Sequence, residues 1–213
     1  MTNTSKLLLI FIPALLLLGL GLFIRITQYE PLIPSAKTLA EQNAFKLPIL
    51  PTDPILGEKK APKTIIAFED FACEHCQFQQ ELLSEVREKH PNDVKIVFKG
   101  LPVATFPFDS RIAHAYAFCA EQQGEFELFA SYAFTNGSNL SESVLNTIVE
   151  QIEGLDAQIM ERCIESYLPE QHISTTEQIA ATVQLQTVPT FFVNNKQIQN
   201  PQTVEEWENI LGL

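Results

Sequence analysis

Two of the chain's four cysteines sit three positions apart at a strand-to-helix junction, in the run "FEDFACEHCQF", residues 68–78. Upstream, "KTIIAFEDF" (63–71) is rich in β-formers and predicts a strand. Downstream, "CQFQQELLSEVREKH" (76–90) brings Phe78, Leu82 and Val86 to i, i+4 and i+8, a helical spacing. "VKIVFKG" (94–100) predicts a second strand, closed by Gly100. The order is β-α-β, which commits this part of the chain to an α/β fold and puts Cys73 in the first turn of the helix.

About 85 residues without a strand signal follow. "SRIAHAYAFCAEQQ", "EFELFASYAF", "SESVLNTIVEQI", "LDAQIMERCIESY" and "STTEQIAATVQLQ" each predict a helix, with Gly124, Asn136-Gly137, Gly154 and Pro169 between them. They form a helical insertion at about 103–186. "TVPTFFV" and "KQIQ" then flank Asn194-Asn195, a pair suited to a tight hairpin. Thr203-Val204-Glu205-Glu206 is a capping box for a last short helix.

The chain has 213 residues, enough for one compact domain plus an appendage. Residues 7–24 are eighteen apolar residues without a charge. As a helix they would extend about 27 Å, close to the ~30 Å hydrocarbon core of a bilayer. The run is longer than the usual signal-peptide core of about 7–15 residues, and no Ala-x-Ala follows it. We read residues 1–25 as a transmembrane anchor, with a cleaved signal segment as the alternative; either way the chain is exported. Residues 26–53, Pro-rich and weakly periodic, read as a linker with at most a short helix around Ala36–Phe45, leaving 54–213 as the domain. Residues 1–25 hold two bases and no acid, so the remainder carries a charge of -14. A surface that acidic repels phosphate backbones and excludes nucleic-acid binding.

The Cys73/Cys76 pair has three chemical readings. A structural zinc site needs four ligands, and Cys119 and Cys163 stand alone in sequence. A passive disulfide closing so short a loop would stabilise little. Redox chemistry uses the arrangement best. Unpaired N–H groups and the positive end of the helix dipole stabilise a Cys73 thiolate below the free-thiol pKa of ~8.5. His75 can add a charge or a hydrogen bond, and Cys76, one turn on, can attack a mixed disulfide on Cys73 and release the substrate. In an oxidising compartment Cys119 and Cys163 are expected to pair as a structural disulfide joining two helices of the insertion; two buried free thiols are the alternative. His90, His114 and His172 lack a visible partner and read as packing or surface residues. Phe71 and Phe78, flanking the pair, are candidates for a hydrophobic rim that meets unfolded substrate. Glu69 and Asp70 are adjacent, face opposite sides of a strand and do not form a catalytic carboxylate pair.

"FEDFACEHCQF" and "TVPTFFVNNKQI", in that order, resemble the DsbA-like branch of the thioredoxin superfamily over about residues 55–213. The resemblance implies a thioredoxin fold with a helical insertion, a cis Pro189 facing the cysteine pair, and pairing of the Val188 backbone with a substrate peptide. His75 matches the histidine of the Cys-x-His-Cys centres of the family's strong oxidants. Glu74 stands where the family often has proline, meets the substrate, and sets a carboxylate beside the thiolate. Many relatives carry a buried acid six residues before the nucleophile; that position is Ala67 here, and Glu69, on the same side of the strand, is the candidate proton relay, with a solvated strand-end acid as its alternative. The implied activity is extracytoplasmic thiol-disulfide exchange at the periplasm or cell surface, by a monomer, with no cofactor or metal. It introduces disulfides into reduced or unfolded exported proteins and is recharged by a membrane thiol-oxidising partner. The alternatives are an isomerase or reductase served by a reducing partner, and a tethered holdase or metal-binding module on the same fold. A linker of 28 residues is too short to hold a dimerisation domain, which weighs against the isomerase.

Overall fold

The computed structural model describes residues 12–13, 15–21, 23 and 46–213. It divides into two units, Met1–Lys46 and Leu47–Leu213. In the first, residues 12–13, 15–21 and 23 are helical and exposed. Among the described residues no helix is long and apolar enough to cross a membrane. The remainder of the 7–24 run and the short helix expected around Ala36–Phe45 lie outside the described residues.

The second unit is built on a five-stranded sheet in the order β1-β3-β2-β4-β5. Its strands are β1 (Ile55–Gly57), β2 (Lys63–Glu69), β3 (Val94–Gly100), β4 (Thr190–Val193) and β5 (Lys196–Gln197). β2 and β3 run parallel, with Ala67 opposite Phe98, and the other pairs are antiparallel. The crossover helix α1 (Glu74–Lys89) joins β2 to β3. The insertion is five helices, α2 (Arg111–Gln122), α3 (Phe126–Thr135), α4 (Glu142–Gln151), α5 (Ala157–Ile164) and α6 (Leu168–Thr182); α7 (Val204–Leu211) closes the chain.

Both faces of the sheet are covered, so β2 reads as an apolar run without alternation. Ile65 and Ala67 pack with Phe98, Phe191 and Trp207 and with Leu83 and Val86 of α1. Ile66 and Phe68 face the other way, onto Val97, Phe192 and, from α6, Ile179 and Ala180. Asn194 and Asn195 both take left-handed backbone, φ 53° and 59°, as a two-residue hairpin of this type requires. Thr203 Oγ1 accepts from the Glu206 N–H, the expected cap. Cys119 of α2 and Cys163 of α5 are joined by a disulfide.

The structure corrects four details. The compact unit begins at Leu47, not at residue 54. Leu47 is buried against Phe68 and Phe192, and the buried Asp53 carboxylate meets Lys99 Nζ at 2.6 Å. Residues 47–53 are irregular and held by single anchors, which leave no periodic signal. The buried face of α1 is Cys76, Gln79, Leu83 and Val86, while Phe78 is 41% exposed. The phase differs because a polar side chain sits on the buried face: Gln79 donates to the Pro201 carbonyl and accepts from the Trp207 indole. Pro169 does not precede the fifth insertion helix but lies in its first turn, where a missing N–H costs nothing. β1 was not expected; three residues are too few to show a pattern.

Candidate active site

β2 ends at Glu69, and a turn of three residues, Asp70, Phe71 and Ala72, leads to Cys73, the N-cap of α1. The Cys73 backbone is extended (φ -100°, ψ 112°), so its sulfur turns back over the helix end and accepts from the Cys76 N–H at 3.2 Å. Cys73 is half-buried, Cys76 is fully buried, and both are free thiols. The two differ sharply in acidity. The Cys76 thiol donates to the Cys73 sulfur and, against the effect of burial, the Cys76 and His75 N–H groups help to bring the Cys73 pKa down to about 7. Burial pushes Cys76 up, and its hydrogen bond to Cys73 and the nearby charge of Glu69 push it further. One thiol is thus available as thiolate near neutrality while its neighbour stays protonated.

Across the site, the Val188 carbonyl oxygen lies 3.9 Å from Cys73 Sγ, and the Val188–Pro189 bond is cis. Strand pairing brings these residues in: Phe68 opposes Thr190 and Ala67 opposes Phe191, so the segment before β4 arrives at the start of α1. His75 and Glu74 are exposed, and His75 reaches the sulfur through its backbone N–H. The carboxylate whose charge opposes the thiolate is Asp70, not Glu74 as expected, because Asp70 is buried beneath the turn and Glu74 projects into solvent.

Phe71 is not a rim residue. It is 1% exposed and packs against His114, Phe134 and Phe98 with ring centroids 4.6, 4.9 and 5.4 Å away. The turn after α3 also presses on it: a Cβ at Gly137 would lie 2.6 Å from the Phe71 carbonyl oxygen, so only glycine fits there. Of the two phenylalanines proposed for the rim, Phe78 alone is exposed.

Asp70 is a buried anchor. Its Oδ2 accepts from the Val103 N–H (2.7 Å), the Ala104 N–H (2.9 Å) and Ser110 Oγ (2.9 Å), and its Oδ1 lies 3.3 Å from His114 Nε2. Burial alone would raise its pKa; the His114 contact and the two N–H donors outweigh burial and hold it down at about 2. It fastens the loop after β3, which carries the exposed Val103 and Phe106, to the turn that carries Cys73. No local signal announces this, since its partners lie 33–44 positions away.

Glu69 is fully buried on the side of the sheet that Ala67 faces. Burial raises its pKa to about 8, against a hydrogen bond from the Gln80 amide and with help from the charge of Cys73. Its Oε2 accepts from Gln80 Nε2, and its Oε1 has no hydrogen-bond partner among the described residues. The solvated-acid alternative is therefore excluded.

The chain belongs to the thioredoxin family: the model of a family described as Thioredoxin matches residues 50–212. Its fold is that of DsbA-like thiol-disulfide oxidoreductases. A thioredoxin-like oxidoreductase from Silicibacter pomeroyi DSS-3 superposes with a TM-score of 0.69 at 21% identity, covering 76% of this chain and 92% of the other. BdbD from Bacillus subtilis, in its oxidised form, gives 0.65 at 19% identity over 76% and 91%. The thiol-disulfide exchange protein alpha-DsbA2 from Wolbachia pipientis gives 0.68 at 16% identity over 82% and 91%. Among curated sequences, the Na(+)/H(+) antiporter NhaA 1 of Mycobacterium sp. (strain KMS) is 25% identical over 159 residues, covering 72% of this chain and 26% of the antiporter. The chain spans about a quarter of the length of the curated relatives it matches.

Proposed function

We propose that this chain is a membrane-tethered oxidase of protein dithiols that works outside the cytoplasm. The observation that carries the reading is the unequal pair on one helical turn, a half-buried Cys73 acidified to about 7 and a buried Cys76 kept protonated. A substrate thiolate attacks Cys73 Sγ of the oxidised pair; the Cys73–Cys76 bond breaks and Cys76 leaves, taking up a proton. A second substrate thiolate attacks the substrate sulfur of the mixed disulfide and frees Cys73 as thiolate. Two electrons pass from substrate to the pair, and a membrane thiol-oxidising partner removes them.

In this reading the Val188 carbonyl, 3.9 Å from the reacting sulfur, accepts a backbone hydrogen bond from an extended substrate, and Pro189, without an N–H, leaves that edge open. Glu74 and Phe78 meet the flanking substrate chain, and His75 lends its N–H to the thiolate. Glu69 supplies the proton to Cys76 and recovers it in the reverse direction; its burial and its pKa of about 8 support this role. The run 7–24 is the anchor, and a membrane pellet that holds the protein through alkaline extraction is the expected result.

The Cys73 value also favours a second reading, a reductase or isomerase, since about 7 is near thioredoxin (~7) and far from DsbA (~3.5). Equilibration with glutathione separates the two: an oxidase settles near -120 mV and a reductase near -270 mV, both approximate. The shared reading requires catalytic turnover of a dithiol peptide, abolished by Cys73→Ser. Turnover that survives this substitution overturns it.

A further inference from the structure

The carboxyl of Glu69 is a useful proton donor only if it can also be deprotonated within the working pH range and if its free oxygen is held in one place. Burial works against the first condition and a flexible side chain against the second. Gln80 bears on both. It follows Cys76 by four positions on α1, so the thiol and the amide lie on one face of the helix, one turn apart. Its Nε2 donates to Glu69 Oε2, which leaves Oε1 as the oxygen without a partner. The rest of the Gln80 side chain lines a groove of about 560 Å³ between α1 and α3, together with Gln77, Ser84, Leu128 and Ser131. The buried acid is therefore one side chain away from open solvent.

We infer that Gln80 is the positioning residue of the proton-transfer step: its amide orients the Glu69 carboxyl and sets the pH at which that acid exchanges a proton with Cys76. The inference rests on the reading of Glu69 given above. The physics is one-directional. A donor to the carboxylate favours the charged form, so Gln80 pulls against burial and keeps the acid from being locked neutral. A lysine in its place would favour the ionised acid, the form that cannot donate, and an apolar residue would favour the neutral acid, the form that cannot accept. A neutral amide permits both states.

The other charged groups near this acid are accounted for. Cys73 and Cys76, at the start of α1, are close enough for their charges to act on it. Asp70, the next residue, is engaged by Val103, Ala104, Ser110 and His114. Along the groove, Arg87 of α1 pairs with Glu127 of α3, Glu81 accepts from Gln77, and Glu125 lines the wall just before α3.

The test compares the full chain with Gln80→Met, which keeps the bulk and removes the donor, with Glu69→Gln, and with the double variant. Two quantities are followed against pH: the titration of the Glu69 carboxyl by carbon-13 NMR, and the rate at which Cys76 releases a peptide held on Cys73 as a mixed disulfide. In Gln80→Met both midpoints are expected to rise together by about one pH unit, a tenfold change in proton concentration. In the Glu69→Gln background the Gln80→Met substitution should then leave the rate profile where it is. A Glu69 titration that does not move in Gln80→Met overturns the Gln80 inference and leaves the Glu69 reading standing. If the titration moves and the rate profile does not, the inference also fails; a Glu69→Gln profile identical to wild type then identifies the Glu69 reading as the cause. A Gln80→Met shift that persists in the double variant shows that Gln80 does not act through Glu69, and the inference is wrong.

Discussion

Cys73 Sγ and the Val188 carbonyl oxygen stand 3.9 Å apart although 115 positions separate them in the chain. The contact exists because β4 pairs antiparallel with β2, the strand that delivers the nucleophile, so the end of one strand and the start of the other fall together. A substrate that reached the sulfur would find the Val188 carbonyl, which accepts from the Cys73 thiol, as a backbone acceptor beside it.

Titration of the nucleophile tests the electrostatics of this corner. Ultraviolet absorbance of the thiolate should give a Cys73 midpoint near 7, below the free-thiol value of ~8.5. Asp70→Asn should lower it further by removing the opposing charge, and Glu74→Gln should leave it in place. A shift in Glu74→Gln with none in Asp70→Asn would mean that the exposed carboxylate, not the buried one, acts on the sulfur.

Glu69 makes a distinct prediction for stability against pH. Its folded-state pKa, about 8, lies above the ordinary 4.5, so the folded chain keeps a proton that the unfolded chain gives up. The stability this represents is complete below about pH 4.5 and is lost as pH rises through about 8. Glu69→Gln stays neutral throughout. Its advantage over wild type at pH 9 should be on the order of several kcal/mol and should vanish at pH 4. Parallel denaturation curves at the two pH values would contradict the assignment.

The Asp53–Lys99 ion pair has both side chains fully buried. Asp53→Ala leaves the lysine without its partner and should cost about 3–5 kcal/mol in urea unfolding, whereas replacing both by apolar residues should cost much less. The same measurement marks the domain boundary: a chain starting at residue 54 should be weaker than one starting at residue 46, because it lacks Leu47 and Asp53.

Removing the insertion's disulfide should separate stability from catalysis. The bridge closes a loop with a sequence separation of 44. The chain-entropy relation assigns about 4 kcal/mol to a loop of this length. Cys119→Ala with Cys163→Ala should lower the melting temperature while the Cys73 titration stays unchanged. A titration that moves with the stability would join the bridge to the redox centre.

Local signals were enough for much of this protein. The β-α-β order, the thiol at a helix N-terminus, the five insertion helices, the Asn-Asn hairpin and the Thr203 cap each depend on residues within a few positions of one another, and short-range periodicity, capping and turn chemistry record such relations in the sequence. The paired Cys119 and Cys163 followed from the cysteine count and an oxidising compartment. Tertiary structure decided what is buried. Phe71 looks like Phe78 in sequence, but it lies under α3 and the turn at Gly137, and only Phe78 meets solvent. Asp70 looks like any strand-end acid until Val103, Ala104, Ser110 and His114 converge on it. Leu47 belongs to the core only because Phe68 and Phe192 are there to receive it. A carboxyl's acidity and a phenylalanine's exposure are set by neighbours brought from distant parts of the chain, and packing, not local spacing, determines who those neighbours are.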